Sequence, residues 1–141
     1  MSKQAVVDAG PLVAIVRDRE EAHDRCVAAL KELRSPLLSC WPVITEVAWL
    51  LRREPGAMKV IDGLVSSGAV QLVELDAQAL SWAVTFMDRY ATLGAQLADA
   101  ALMFIAEREG IETVFTLDRR DFSVYRTSHG QALTVVPEES P

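Results

Sequence analysis

Four acidic residues interrupt apolar stretches of this chain. Asp8 ends the run Ala5-Val6-Val7, and Glu46 stands inside the segment Pro42 to Leu51. Asp99 stands inside Leu97 to Ala106, and Asp118 follows Val114-Phe115-Thr116-Leu117. A carboxylate with apolar neighbours on both sides is placed for partial burial, and a half-buried charge is costly unless something pairs with it. Brought together, such groups would repel one another and force protons onto some of them. A divalent cation removes that cost, and hard cations take oxygen ligands. An all-oxygen carboxylate cluster suits Mg²⁺ or Mn²⁺, which keep several waters and bind substrate phosphate. Each acid also has a plainer reading. Asp8 before Gly10-Pro11 fits a turn or cap, Glu46 and Asp99 fit dipole partners in first helical turns, and 118–121 fits a solvated loop.

The elements that carry these acids follow from periodicity and punctuation. Residues 4–8 read as a short buried strand, so Asp8 sits at its C-terminal end and faces a helix start at Pro11. Residues 18–33 are amphipathic, with Ala22, Cys26, Ala29, Leu30 and Leu33 at helical spacing, and Ser35-Pro36 ends them. A strand at 37–40 leads to a helix opened by Pro42, running to Arg53 and stopped at Glu54-Pro55. A helix at 57–66, a strand at 70–75 and a helix from the cap Asp76 to about Tyr90 follow. After Leu93-Gly94, a helix over 95–109 ends at Gly110. Strands are expected at 113–117 and 132–136. Glu46 shares a face with Val43, Trp49 and Leu50, and Asp99 shares one with Leu102, Met103 and Ala106, so both acids should point inward. Alternating strands and helices indicate an α/β fold with a mostly parallel central sheet flanked by helices. Ligands of such sheets bind at the carboxyl ends of the strands.

The chain has 141 residues, half of them hydrophobic, the size and composition of one globular domain. Its longest uninterrupted apolar run, Ala100 to Ala106, is too short to span a bilayer, and no secretory leader is evident at the N-terminus. Cys26 and Cys40 provide neither a disulfide framework nor metal-ligand spacing, which fits a cytoplasmic location. The formal net charge of −6 argues mildly against nucleic acid. Bound cations would offset the charge of acids acting as ligands, so the total does not decide the partner.

Four segments, in order, resemble the PIN-domain ribonucleases, and among them the VapC toxins of toxin–antitoxin pairs. They are Val6 to Ala14, Ile44 to Leu51, Leu97 to Leu102 and Thr116 to Phe122. The resemblance covers 1–136 as a PIN-like nuclease domain of three layers, leaving 137–141 as a short C-terminal tail. It implies metal-dependent endonucleolytic hydrolysis of RNA, with Asp8, Glu46, Asp99 and Asp118 sharing one Mg²⁺ site that Mn²⁺ would also fill. Asp8 and Asp99 would be direct ligands, Thr116 a hydroxyl that supports the site, and Asp121 an outer acid. The family often has Ser or Thr at the position of Gly10, so one supporting hydroxyl is missing here. The resemblance also implies a cognate antitoxin that blocks the active-site groove, and a homodimer for which the helices at 57–66 and 80–90 are candidate surfaces.

For RNA, Arg17, Arg19, Arg52, Arg53, Arg119, Arg120 and Arg126 are candidate phosphate contacts, since guanidinium groups fork onto phosphates. Trp41, Trp49 and Trp82 are candidate stacking surfaces. The spacing of Trp49 and Trp82 favours the core instead, and His23 and His129 read as surface residues. Three rivals stand beside this reading. A catalytically silent interaction module would not need all four acids. A metal-dependent phosphatase with an aspartyl nucleophile would usually carry a second Asp where Gly10 stands. A receiver domain would want paired acids after the first strand and a late lysine, and Lys3, Lys31 and Lys59 all fall early.

Overall fold

The computed structural model of the chain describes residues 3–139. Its strands are the short runs β1 (Ala5–Val7), β2 (Leu37–Ser39), β3 (Val70–Leu72), β4 (Thr113–Phe115) and β5 (Thr134–Val136), most of them rich in Val or Leu. Between them lie α1 (Ala9–Val16), α2 (His23–Glu32), α3 (Trp41–Leu50), α4 (Ala57–Ser66), α5 (Ala77–Arg89), α6 (Leu97–Glu109) and the single turn α7 (Arg119–Phe122). The sheet order is β3-β2-β1-β4-β5, and every neighbouring pair is parallel.

This order places the site. The chain steps outward from β1 to β2 to β3, returns across the sheet to β4 beside β1, and continues to β5. Right-handed crossovers then put the helices of the two halves on opposite faces, giving three layers. The direction reverses between β1 and β4, and there a crevice opens beyond the carboxyl ends of the strands. Val7 pairs with Phe115 in that register, and the Asp8 N–H donates to the Phe115 carbonyl at 2.9 Å. Asp8 and Thr116 therefore leave the sheet side by side. Beneath them the core holds Leu12, Leu102, Met103, Ile105, Phe115, Phe122 and Tyr125, all fully buried.

Several boundaries differ from the sequence reading. The strands are three residues long, and the second helix begins at His23 because residues 18–21 are an exposed turn. Two punctuation signals act as expected. The Asp76 carboxylate accepts the Ala79 N–H at 3.1 Å, and Gly110 closes α6 in the left-handed region at φ 69.

Two side chains correct expectations. Trp49 is 64% exposed, not core. The buried stripe of α3 is Val43, Ile44 and Val47, continued by Leu51, because this helix is apolar nearly all round and buries the adjacent face. His23 is half-buried, with Nδ1 2.7 Å from the Ala14 carbonyl oxygen. Residues 137–139 are tied down: Arg119 donates to the Pro137 carbonyl at 2.7 Å, and Arg25 donates to that of Glu138. The remainder of the expected tail, 140–141, lies outside the described residues. No helix among the described residues is long and apolar enough to cross a membrane.

Candidate active site

The crevice at the strand ends is a cleft of about 510 Å³ lined by Asp8, Gly10, Glu46, Gly94, Gln96, Asp99, Leu117, Asp118 and Asp121. Five of these are acids and none is basic. The four acids singled out in the sequence therefore face one space, Asp121 joins them, and Thr116 lies buried just behind. A neighbouring groove of about 430 Å³, lined by Trp41, Leu72, Leu75, Leu80, Leu97 and others, is mostly apolar; its Asp76 is occupied as a helix cap.

Asp8 is buried at the end of β1. Its Oδ1 accepts the Ala9 N–H at 2.8 Å, capping α1, and its Oδ2 accepts the Thr116 hydroxyl at 2.9 Å. Burial pushes its carboxyl up to about 6; these two hydrogen bonds oppose the shift, while the charges of Glu46 and Asp118 add to it. Asp99, in the first turn of α6, is also pushed up to about 6, first by burial and then by the charge of Asp8. Its Oδ2 accepts the Gln96 N–H at 3.3 Å and the Tyr125 hydroxyl at 3.0 Å. Glu46 is raised by burial and by Asp99. Asp118 is exposed and caps α7, accepting the Asp121 N–H at 3.2 Å, and Asp121 is raised by burial and by Asp118.

None of the ion pairs among the described residues compensates Asp8, Glu46, Asp99 or Asp118. Among the described residues no group of three or more His, Cys, Asp or Glu side chains is arranged to hold a metal ion by itself. All-oxygen donors that face a common space, have no basic partner and leave room for water fit Mg²⁺, which seldom sits in an all-protein cage. The two cysteines do not compete for it, since burial pushes both free thiols up to about 11.

Thr116 links two acids. Its hydroxyl donates to Asp8 and accepts the Asp118 N–H at 3.0 Å. Thr116→Val should therefore leave a buried carboxylate oxygen and a backbone N–H short of partners. It is expected to cost about 1–3 kcal/mol in urea unfolding, and an unchanged unfolding midpoint would remove this role.

Gly10 explains the missing family hydroxyl. A Cβ there would stand 3.3 Å from the Leu117 Cβ, so any side chain would press on Leu117. Gln96 and Tyr125 were not anticipated. A Gln-x-x-Asp spacing at a helix start is a legible capping signal. Tyr125 has none, because it is 26 positions from Asp99 and reaches it only through the fold.

Most of the candidate arginines have structural partners. Arg17 bonds Glu54, Glu20 and the Leu50 carbonyl, and Arg19 bonds Glu54. Arg119 donates to the Val135 and Pro137 carbonyls, and Arg126 to those of Ser123, Val124 and Tyr125. Arg53 and Arg120 are exposed, while Arg52 lies over the Trp49 ring, 3.8 Å from its centroid.

A parallel sheet with carboxylates at its switch point is the arrangement of the PIN fold, and residues 5–127 match the PIN domain family. The chain belongs to that family. Among its relatives is Ribonuclease VapC26 of Mycobacterium tuberculosis (strain ATCC 25618 / H37Rv), 27% identical over 134 residues that span 94% of this chain and 99% of that protein. The fold is similar to the crystal structure of Mycobacterium tuberculosis VapC20, described as a sarcin–ricin loop cleaving toxin. That match has a TM-score of 0.75 and 18% identity, over 83% of this chain and 92% of that one. PAE2754 from Pyrobaculum aerophilum is similar at a TM-score of 0.55 and 20% identity, over 84% of each chain.

Proposed function

We propose that the chain is a metal-dependent endoribonuclease, the toxin of a toxin–antitoxin pair, and that it hydrolyses RNA in the cleft of Asp8, Glu46, Asp99 and Asp118. One observation carries this reading. Five acids line a cleft that contains no basic side chain, and burial pushes the carboxyls of two of them up to about 6. Membership of the PIN family and the likeness to Ribonuclease VapC26 support the substrate class.

Asp8 and Asp99 would hold Mg²⁺, or Mn²⁺ in its place, with Glu46 and Asp118 completing the site directly or through water and Asp121 outside them. When bound, the ion lowers the pKa of a water and offsets phosphate charge. The protein groups do the rest. Thr116 and the Ala9 N–H orient Asp8, and burial at the sheet end keeps it largely dry, so its charge acts at low dielectric. A cleft so negative repels a polyanion, which makes RNA binding and metal binding interdependent.

Outside the cleft, Trp49 lies one helical turn from Glu46, with one ring face covered by Arg52 and the side chain open to solvent. A base stacking on Trp49, with Arg52 and Arg53 on flanking phosphates, is part of this reading. Trp49→Ala is expected to raise KM for RNA about tenfold with kcat little changed. Equal loss in kcat would place Trp49 elsewhere in the mechanism. An antitoxin segment across the groove, a homodimer through the exposed apolar residues Met58, Val60, Leu80 and Val84, and a cytoplasmic location complete the proposal.

The test is cleavage of a mixed RNA pool by the purified chain in Mg²⁺, Mn²⁺ or EDTA, beside turnover of a small phosphomonoester. RNA fragments with either metal and none in EDTA are expected. Metal-dependent turnover of the small ester alone would make the protein a phosphatase. Inertness toward both would leave either an interaction module or a toxin whose narrow RNA target is missing from the pool.

A further inference from the structure

We infer that Tyr125 is a positioning residue for Asp99, its buried hydroxyl determining which carboxylate oxygen faces the cleft. This rests on the reading of the cleft as a divalent-metal site. Tyr125 is fully buried, and its hydroxyl donates to Asp99 Oδ2 at 3.0 Å. The same oxygen accepts the Gln96 N–H. Both hydrogen bonds thus fall on Oδ2, and Oδ1 receives none from the described residues. A carboxylate held by one oxygen presents the other in a fixed direction, which is what a small cation with strict geometry requires.

The tyrosine is itself held firmly. Its ring lies 5.0 Å from Phe86, 5.1 Å from Tyr90 and 5.1 Å from Phe122, all centroid distances. The loop that carries it is clamped by Arg126, whose guanidinium donates to the carbonyls of Ser123, Val124 and Tyr125. The Arg126 N–H donates to the Tyr90 hydroxyl at 2.9 Å. Residues 116–126 therefore brace both principal acids, with Thr116 on Asp8 Oδ2 and Tyr125 on Asp99 Oδ2. The plainer alternative is a core tyrosine whose hydroxyl took the nearest acceptor, as buried tyrosines do. The two differ in what the hydroxyl does for metal.

Tyr125→Phe keeps the ring and removes the hydroxyl, while Phe86→Leu disturbs the same aromatic box and keeps it. Calorimetric titration of the metal-free full chain with Mn²⁺, together with its melting temperature, separates the roles. Tyr125→Phe should bind Mn²⁺ about tenfold more weakly while melting within a few degrees of wild type. Phe86→Leu should melt lower and bind Mn²⁺ within about twofold of wild type, since the contact to Asp99 survives. Wild-type affinity in Tyr125→Phe, or affinity lost in both variants in step with melting temperature, would overturn the role. A wild-type chain that takes up no Mn²⁺ would instead overturn the metal site itself, and the role of Tyr125 with it.

Discussion

Asp8→Asn and Asp99→Asn should each lower metal-dependent RNA cleavage by about 10³-fold or more, the scale of several kcal/mol of lost charge stabilisation. Asn preserves the volume of Asp and an acceptor oxygen, so the sheet end and the start of α6 should remain intact. What is lost is a negative charge in the driest part of the cleft, where Asp8 is only 8% exposed. Exposure ranks the other acids in the same way. Asp118 is exposed and also caps α7, so Asp118→Asn should cost less, as should Glu46→Gln on the half-open rim. The double variant Asp8→Asn/Asp99→Asn should be hardly worse than either single one, because groups that act as a unit lose their effect together. Single-turnover cleavage with circular dichroism on the same samples checks this. Folded variants that keep more than a tenth of wild-type activity would move the chemistry out of this cleft.

The acids were legible because each breaks a local rule. Asp8 closes a buried strand and Asp99 interrupts an apolar helix, places where a carboxylate needs compensation, whereas Asp118, read as a strand end, lies three residues beyond β4 as an exposed cap of α7. Strand and helix order was legible from period and punctuation, since Asp76, Gly94 and Gly110 mark turns in a left-to-right reading. What local signals do not carry is the choice between equivalent faces. In α3 Val43, Val47 and Leu51 form one apolar stripe while Trp49 and Leu50 lie beside Glu46 on another, and packing against α1 and α6 decides which is buried. The same holds for Tyr125 and Arg126, whose partners are long-range contacts or irregular loop carbonyls. Arg126 had the composition of an RNA contact and turned out to be a loop clamp.

The cleft also has a thermodynamic signature independent of catalysis: without metal, Asp8→Asn should be more stable than wild type at neutral pH. Burial raises the folded-state pKa of Asp8 from 3.8 to about 6. A raised pKa means that the folded state holds the proton more tightly than the unfolded one. The stabilisation from that proton is fully present below the unfolded value and is lost as pH rises through about 6. At pH 7 wild type bears the full cost of a buried charge, and a shift of this size corresponds to about 2–3 kcal/mol. Asn at this position does not ionise. The advantage of Asp8→Asn should therefore appear in EDTA at pH 7 and shrink as pH is lowered toward 4. Saturating Mg²⁺ should reverse the order, because a ligand that binds only the folded state stabilises the chain that binds it better. Urea unfolding of both proteins at the two pH values, with EDTA and with Mg²⁺, gives the comparison. Equal stability in EDTA at pH 7 would mean that Asp8 is not strained in the folded state. Stability is given up at Asp8 to keep a charge where a cation can use it, so the site shows itself in the unfolding curve before any RNA is added.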